Sequence, residues 1–205
     1  CDTLATKIKT IPSKKINIIA ISQGGLLARC YIEKYVSLDE YSGVNMLLTM
    51  GTPHMGIFNS ENPDPIYKSF IRDYWKDPFE YNKYLETNKF LAELNNERGH
   101  KDSELYKTNF VTLNEFIIVW SSIDNIIEPY QSAKFEFYNT TDAMENRELD
   151  IVALNVSNTY SNDLIGLRTL DESNRLHTIR FDCQHDKFKT SECFIPIIES
   201  VIQCF

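Results

Sequence analysis

The chain has no apolar run approaching the roughly 20 residues that a membrane-spanning helix needs. Nor does its start show the charged, apolar and small-residue succession of a secretory leader. Basic residues are few, 21 Lys and Arg against 29 Asp and Glu, giving a net charge of −8. A nucleic-acid surface needs clustered cations, so this balance argues against that partner class. The acidic residues are spread along the sequence, and their plain meaning is solubility. Repeats and low-complexity segments are missing too. None of the five cysteines belongs to a CxxC pair, which argues against a zinc site. No metal and no organic cofactor is called for.

What is present is an ordinary globular composition, 42% hydrophobic and 24% charged, over 205 residues. That length fits one domain burying roughly 70% of its unfolded surface. Cys1-Asp2-Thr3-Leu4-Ala5 has no initiator Met and reads like the middle of a helix, so upstream sequence is expected. Cys183 and Cys193 could close a short loop and Cys1 with Cys30 could staple two helices; spacing alone leaves buried free thiols equally open. Two glycosylation acceptors, Asn139-Thr140-Thr141 and Asn155-Val156-Ser157, tilt the balance toward an oxidising secretory route.

Residues 2–10 read as the end of a helix closed by Pro12. Ile16–Ile21 is apolar on both faces, the pattern of a central parallel strand. Leu26, Leu27, Cys30, Tyr31 and Tyr35 then recur at helical spacing, and Val44–Met50 is a second buried strand ended by Gly51-Thr52-Pro53. Strand, helix and strand in so short a span make a βαβ unit. Residues 58–113, with prolines at 63, 65 and 78, read as a mostly helical insertion. Phe116–Trp120 is a third buried strand and Leu176–Phe181 a last one. The segment 130–176 between them is irregular, with short helical pieces and no strand, and Phe194–Phe205 closes the chain as an amphipathic helix. The expected fold is α/β: one domain over 1–205 with a mainly parallel sheet and a helical insertion.

In a parallel sheet, ligands bind beyond the carboxyl ends of the strands. Ser22 follows the first strand, Asp124 the third and His185 the last. Ser, acid and His in that order is the chain order of the α/β-hydrolase triad. A nucleophile on a strained strand-to-helix turn needs small neighbours, and Ala20 and Gly24 stand two before and two after Ser22, with Gly25 next. The turn aims the following N–H groups, notably that of Gln23, at a developing oxyanion. A structural serine capping the helix is the plainer alternative. Glu128, Asp142, Asp150 and Asp163 compete with Asp124 but lie further from a strand end. Among the histidines, His100 and His177 are poorly placed, and His54 follows a strand and could line the site. His185, between the last strand and the last helix, is best placed as the base. Acyl transfer to water follows as the reaction class.

With these residues in view, the chain resembles the palmitoyl-protein thioesterases. The resemblance rests on Ser22-Gln23-Gly24-Gly25, on Thr52-Pro53-His54-Met55-Gly56, and on the acid loop Asp124–Pro129 running into Ser132 and Phe135–Tyr138. Asp163–Leu170 and His185 extend it, and Tyr74–Pro78, Phe90–Arg98 and Lys107–Phe110 look most like the family's second paralogue. It implies an α/β-hydrolase with Ser22, Asp124 and His185 as triad, Gln23 as oxyanion donor, and His54 and Met55 beside the substrate. It further implies a lysosomal or secreted glycoprotein that hydrolyses fatty-acyl thioesters, with the insertion helping to shape the acyl site. The family's early strands and His-Gly loop are not in this sequence. Their absence implies an unpaired sheet edge and a missing oxyanion donor worth roughly 3–4 kcal/mol. Cys1 falls at or near a family disulfide cysteine, although its spacing to Cys30 differs. Two alternatives stand beside the thioesterase: an oxygen-ester hydrolase with the same triad, and a truncated, inactive chain.

Overall fold

The computed structural model describes residues 1–38, 41–59 and 71–204. Four strands form a parallel sheet in the order β1 (Lys15–Ile21), β2 (Gly43–Met50), β3 (Glu115–Trp120) and β6 (Leu176–Arg180). Register pairs Ile21 with Met50, Met50 with Val119, and Trp120 with Arg180, so the four carboxyl ends lie along one rim. The strands alternate as a two-residue period requires. Leu47, Phe116 and Ile118 enter one core; Leu48, Met50, Ile117 and Val119 enter another. The first core is closed by α1 (Asp2–Ile8), α2 (Gln23–Tyr35), α5 (Ser103–Phe110) and α8 (Leu167–Glu172). The second is closed by α9 (Ser191–Cys204), through Cys193, Ile197 and Val201. The fold is α/β with helices on both faces of the sheet.

Among the described residues β1 stands at the edge of the sheet, the unpaired edge that the family resemblance implied and not the central position its apolar run suggests: its outer side has no partner there, and Ile19 is 45% exposed. The strand's apolar composition could be satisfied by a covered face on either side, so it does not reveal which edge is paired. Between 130 and 176, where no strand was expected, β4 (Phe137–Tyr138) pairs antiparallel with β5 (Ile151–Val152). Two-residue strands are too short to show alternation in a sequence.

Within the insertion, 3₁₀ turns at Arg72–Tyr74 and Pro78–Glu80 precede α3 (Tyr81–Thr87) and α4 (Leu91–Leu94). The prolines at 63 and 65 and the final Phe205 lie outside the described residues. This region is fixed to the sheet layer by Arg29 of α2, which is fully buried and donates to Asn95 Oδ1 at 2.9 Å and to the Leu94 carbonyl at 3.0 Å. Inside it, a buried Lys76–Glu97 ion pair accepts the Tyr84 hydroxyl at 2.6 Å. Helix α6 (Thr140–Asn146) connects β4 to β5, and two further short helices, α7 (Asn158–Ser161) and α8, lead from β5 to β6. Both disulfides left open by spacing are formed, Cys1–Cys30 and Cys183–Cys193, with Cα separations of 5.8 and 6.6 Å.

Candidate active site

At the end of β1 the backbone reverses at Ser22 with φ 54° and ψ −132°, a left-sided conformation that costs a non-glycine residue of order 1–3 kcal/mol. The turn is held by Ser22 N–H donating to the Met50 carbonyl at 2.9 Å. α2 begins at the next residue, so Gln23 N–H is among the helix-start donors that have no intrahelical acceptor. A macrodipole of about half a positive charge sits at the same point. The steric demand differs from the sequence argument. A Cβ on Gly24 would meet only the Ala20 methyl at 3.9 Å, an ordinary contact. On Gly25 it would stand 2.1 Å from Thr52 Oγ1. The second glycine, not the first, is the one the fold cannot replace, because α2 passes against the turn after β2.

The candidates Asp124 and His185 meet. His185 Nδ1 lies 2.8 Å from Asp124 Oδ2, with the Asp124 side chain 2% and the His185 side chain 12% exposed. Asp124 Oδ1 accepts from the N–H groups of Ile126 and Ile127 at 2.9 and 3.0 Å. The carboxylate is thus held from both oxygens, one aimed at the imidazole. Asn125 Oδ1 accepts the His185 N–H at 3.4 Å, and the Phe188 ring lies edge-on to the imidazole at 6.3 Å. Asp124 and His185 reach one another from loops after β3 and β6, which are adjacent in the sheet. Ser22 stands on the same rim after β1. Among the described residues no hydrogen bond joins its Oγ to His185. The arrangement supplies a half-buried serine on a strained turn, an imidazole oriented by a buried carboxylate, and free helix-start N–H groups.

His54 has no exposed surface. Its Nε2 lies 3.0 Å from Thr49 Oγ1, its ring stacks on Phe135 at 4.3 Å, and its Nδ1 has no partner. Burial, followed by the nearby Arg29 charge, drives its pKa well below the ordinary 6.5. Met55 is buried too; its N–H donates to Ser132 Oγ at 3.0 Å, and it lines a cavity of about 310 Å³ with Lys76, Tyr81 and Phe137. A larger cavity of about 800 Å³ lies in the insertion between Trp75, Tyr84 and Phe90, and none of the triad candidates lines it. His177 is tied to Glu115 at 2.8 Å and His100 to Asn96 at 2.9 Å, both in structural contacts. Asp163 is spent on the N–H groups of Arg168 and Thr169. Asn139 caps α6, accepting from the N–H groups of Thr141 and Asp142, whereas Asn155 is exposed.

Gly51 was not singled out from the sequence. It has φ 52°, and a Cβ there would lie 2.8 Å from Phe188 Cε2 and 3.0 Å from Asp124 Oδ2. The only signal was its position at a strand end. Among the described residues, no group of three or more His, Cys, Asp and Glu side chains could hold a metal ion.

The sequence model described as palmitoyl protein thioesterase matches residues 1–185. Palmitoyl-protein thioesterase 3 of Dictyostelium discoideum is 35% identical over 181 residues, covering 82% of this chain and 61% of that protein. Lysosomal thioesterase PPT2-B of Xenopus laevis is 31% identical over 183 residues, covering 80% of this chain and 60% of that protein. For lysosomal thioesterase PPT2 of Homo sapiens the figures are 26% over 174 residues, 76% and 54%. The chain therefore spans little more than half the length of these relatives.

Proposed function

The chain belongs to the palmitoyl protein thioesterase family, and from that premise we propose that it hydrolyses long-chain fatty-acyl thioesters through Ser22, Asp124 and His185. The observation that carries the reading is the 2.8 Å contact of the buried Asp124 with His185, on the same sheet rim as the strained Ser22.

In this reading His185 Nε2 takes the Ser22 proton as Oγ attacks the thioester carbonyl. Asp124 keeps the other ring nitrogen protonated and stabilises the imidazolium. The tetrahedral oxyanion forms beside the Gln23 N–H, where a preorganised donor is worth about 3–4 kcal/mol. Breakdown expels the thiol, which takes its proton from His185, and leaves an acyl-enzyme on Ser22. Water, deprotonated by the same imidazole, then releases the fatty acid. Catalytic hydrogen bonds are often long before substrate binds, so the Ser22–His185 contact is one that the substrate complex closes. The names of the relatives and the two disulfides support a lysosomal or other oxidising compartment. Both sequons are sugar acceptors in this reading, Asn155 the more accessible.

Ser22→Ala in the intact protein is expected to lower palmitoyl-CoA turnover by about 10⁴-fold or more, with circular dichroism unchanged. Turnover that survives the substitution contradicts the reading. A matched oxygen ester turned over faster than the thioester would instead assign the same triad to an ester hydrolase.

A further inference from the structure

Ser121 is the first residue after β3 and is 1% exposed. Its Oγ accepts two backbone hydrogen bonds, from Ile123 N–H at 3.2 Å and from Cys183 N–H at 3.0 Å. Ile123 directly precedes Asp124, and Cys183 stands two residues before His185. One buried oxygen therefore ties the root of the acid loop to the root of the base loop, across 62 residues of sequence. Cys183 is in turn fastened to α9 by its disulfide to Cys193, so the segment carrying His185 is held at both ends.

We infer that Ser121 is a positioning residue, setting the separation at which Asp124 meets His185. The inference rests on the triad reading above. The alternative tie between these two loops is visible one residue along and differs in kind. Ser122 N–H and Oγ donate to Asp182 Oδ1 at 3.1 and 3.0 Å, and Arg180 braces the same carboxylate. That cluster is solvent-exposed, where water competes for each contact and the net contribution of an ion pair is small. The Ser121 oxygen is itself buried, and so is its bond from Cys183 N–H. Replacing that oxygen removes the acceptor of both N–H groups and leaves the buried one of Cys183 unpaired unless the loops shift. A displacement of about 1 Å in a catalytic pair can cost on the order of 100-fold in rate.

The test compares Ser121→Ala, Ser121→Thr and Ser121→Val in the intact protein, with Ser122→Ala as control. Two readouts are followed: kcat and KM for palmitoyl-CoA, and the downfield proton resonance of His185 Nδ1–H hydrogen-bonded to Asp124. Ser121→Ala is expected to lose the resonance and lower kcat by about 10- to 100-fold, with KM within about twofold. Thr and Val have nearly the same shape, so if the alanine variant does not fold this pair decides: Thr keeps resonance and turnover, Val loses both. Ser122→Ala keeps both. Variants without the hydroxyl that retain the resonance and the parental kcat, even with a lowered Tm, overturn the inference. An intact protein that shows the resonance but no turnover defeats the proposed function alone, because the resonance in the variants still decides the role of Ser121.

Discussion

At Gly51 a single hydrogen stands where no methyl group fits. The Cβ position is closed by Phe188 on one side and by the Asp124 carboxylate on the other, and the backbone is left-handed there. Gly51→Ala is therefore expected to cost about 1–3 kcal/mol, from overpacking and from an unfavourable φ. Chemical denaturation measures it; a stability equal to the parent's contradicts the packing described. Residues of this kind mark how far the site could be read from sequence. The strained turn at Ser22 was legible because small residues stand there between an apolar strand and a helix. Its steric reason was only partly legible: the intolerant position is Gly25, and the atom that excludes a side chain there belongs to Thr52, in a distant turn. The roles of Ser121 and Gly51 were not legible, because each acts through a contact with a segment 60 or more residues away, and the place of Gly51 at a strand end says nothing of that contact.

Between elements, the sheet brings three chain-distant loops onto one rim, and the base loop has the most independent support. It begins at β6, turns through a 3₁₀ segment at His185–Lys189, and is closed by Cys183–Cys193 over a sequence separation of 10. Closing a loop of that size removes unfolded-state entropy worth about 2–3 kcal/mol. Replacing both cysteines by serine is expected to lower stability by that amount and to reduce kcat more than it raises KM. Equal stability of the double variant and its parent contradicts this account of the loop. Strand and helix periodicity exposed β2, β3, β6 and α2 in the sequence. It could not tell that β1 lies at an edge, since the pattern reports burial and not the identity of a neighbour. Nor could it find β4 and β5, whose pairing is set by the turns and helices around them.

Over the whole molecule, two buried titratable groups set opposing slopes of stability with pH. Glu33, fully buried on α2 beside Arg29, has its pKa raised from 4.5 to about 8, because burial outweighs the pull of the guanidinium. The folded chain binds this proton more tightly than the unfolded chain does. The stability it contributes is complete below about 4.5 and is lost as pH rises through 8. His54 stays neutral in its buried site while its ordinary value is 6.5, so stability falls as pH drops below 6.5. Just below pH 6.5 the two slopes oppose one another. Tm is expected to decline from about pH 6.5 toward 8, with Glu33→Gln removing that decline and His54→Gln lessening the fall on the acid side, to which Asp182, held down to about 2 by Arg180, also contributes. A Tm rising steadily from pH 5 to 8 contradicts the assignment.

The proposed chemistry turns on one oxygen atom, Ser22 Oγ, whose reactivity can be read without a natural substrate. The intact protein is treated with a fluorophosphonate, digested, and each modified peptide is located by mass spectrometry. A single stoichiometric adduct is expected on Ser22, abolished by Ser22→Ala and strongly slowed by His185→Gln, since the hydroxyl needs its base. An adduct on another serine, or an unlabelled Ser22 in a folded protein, would contradict it.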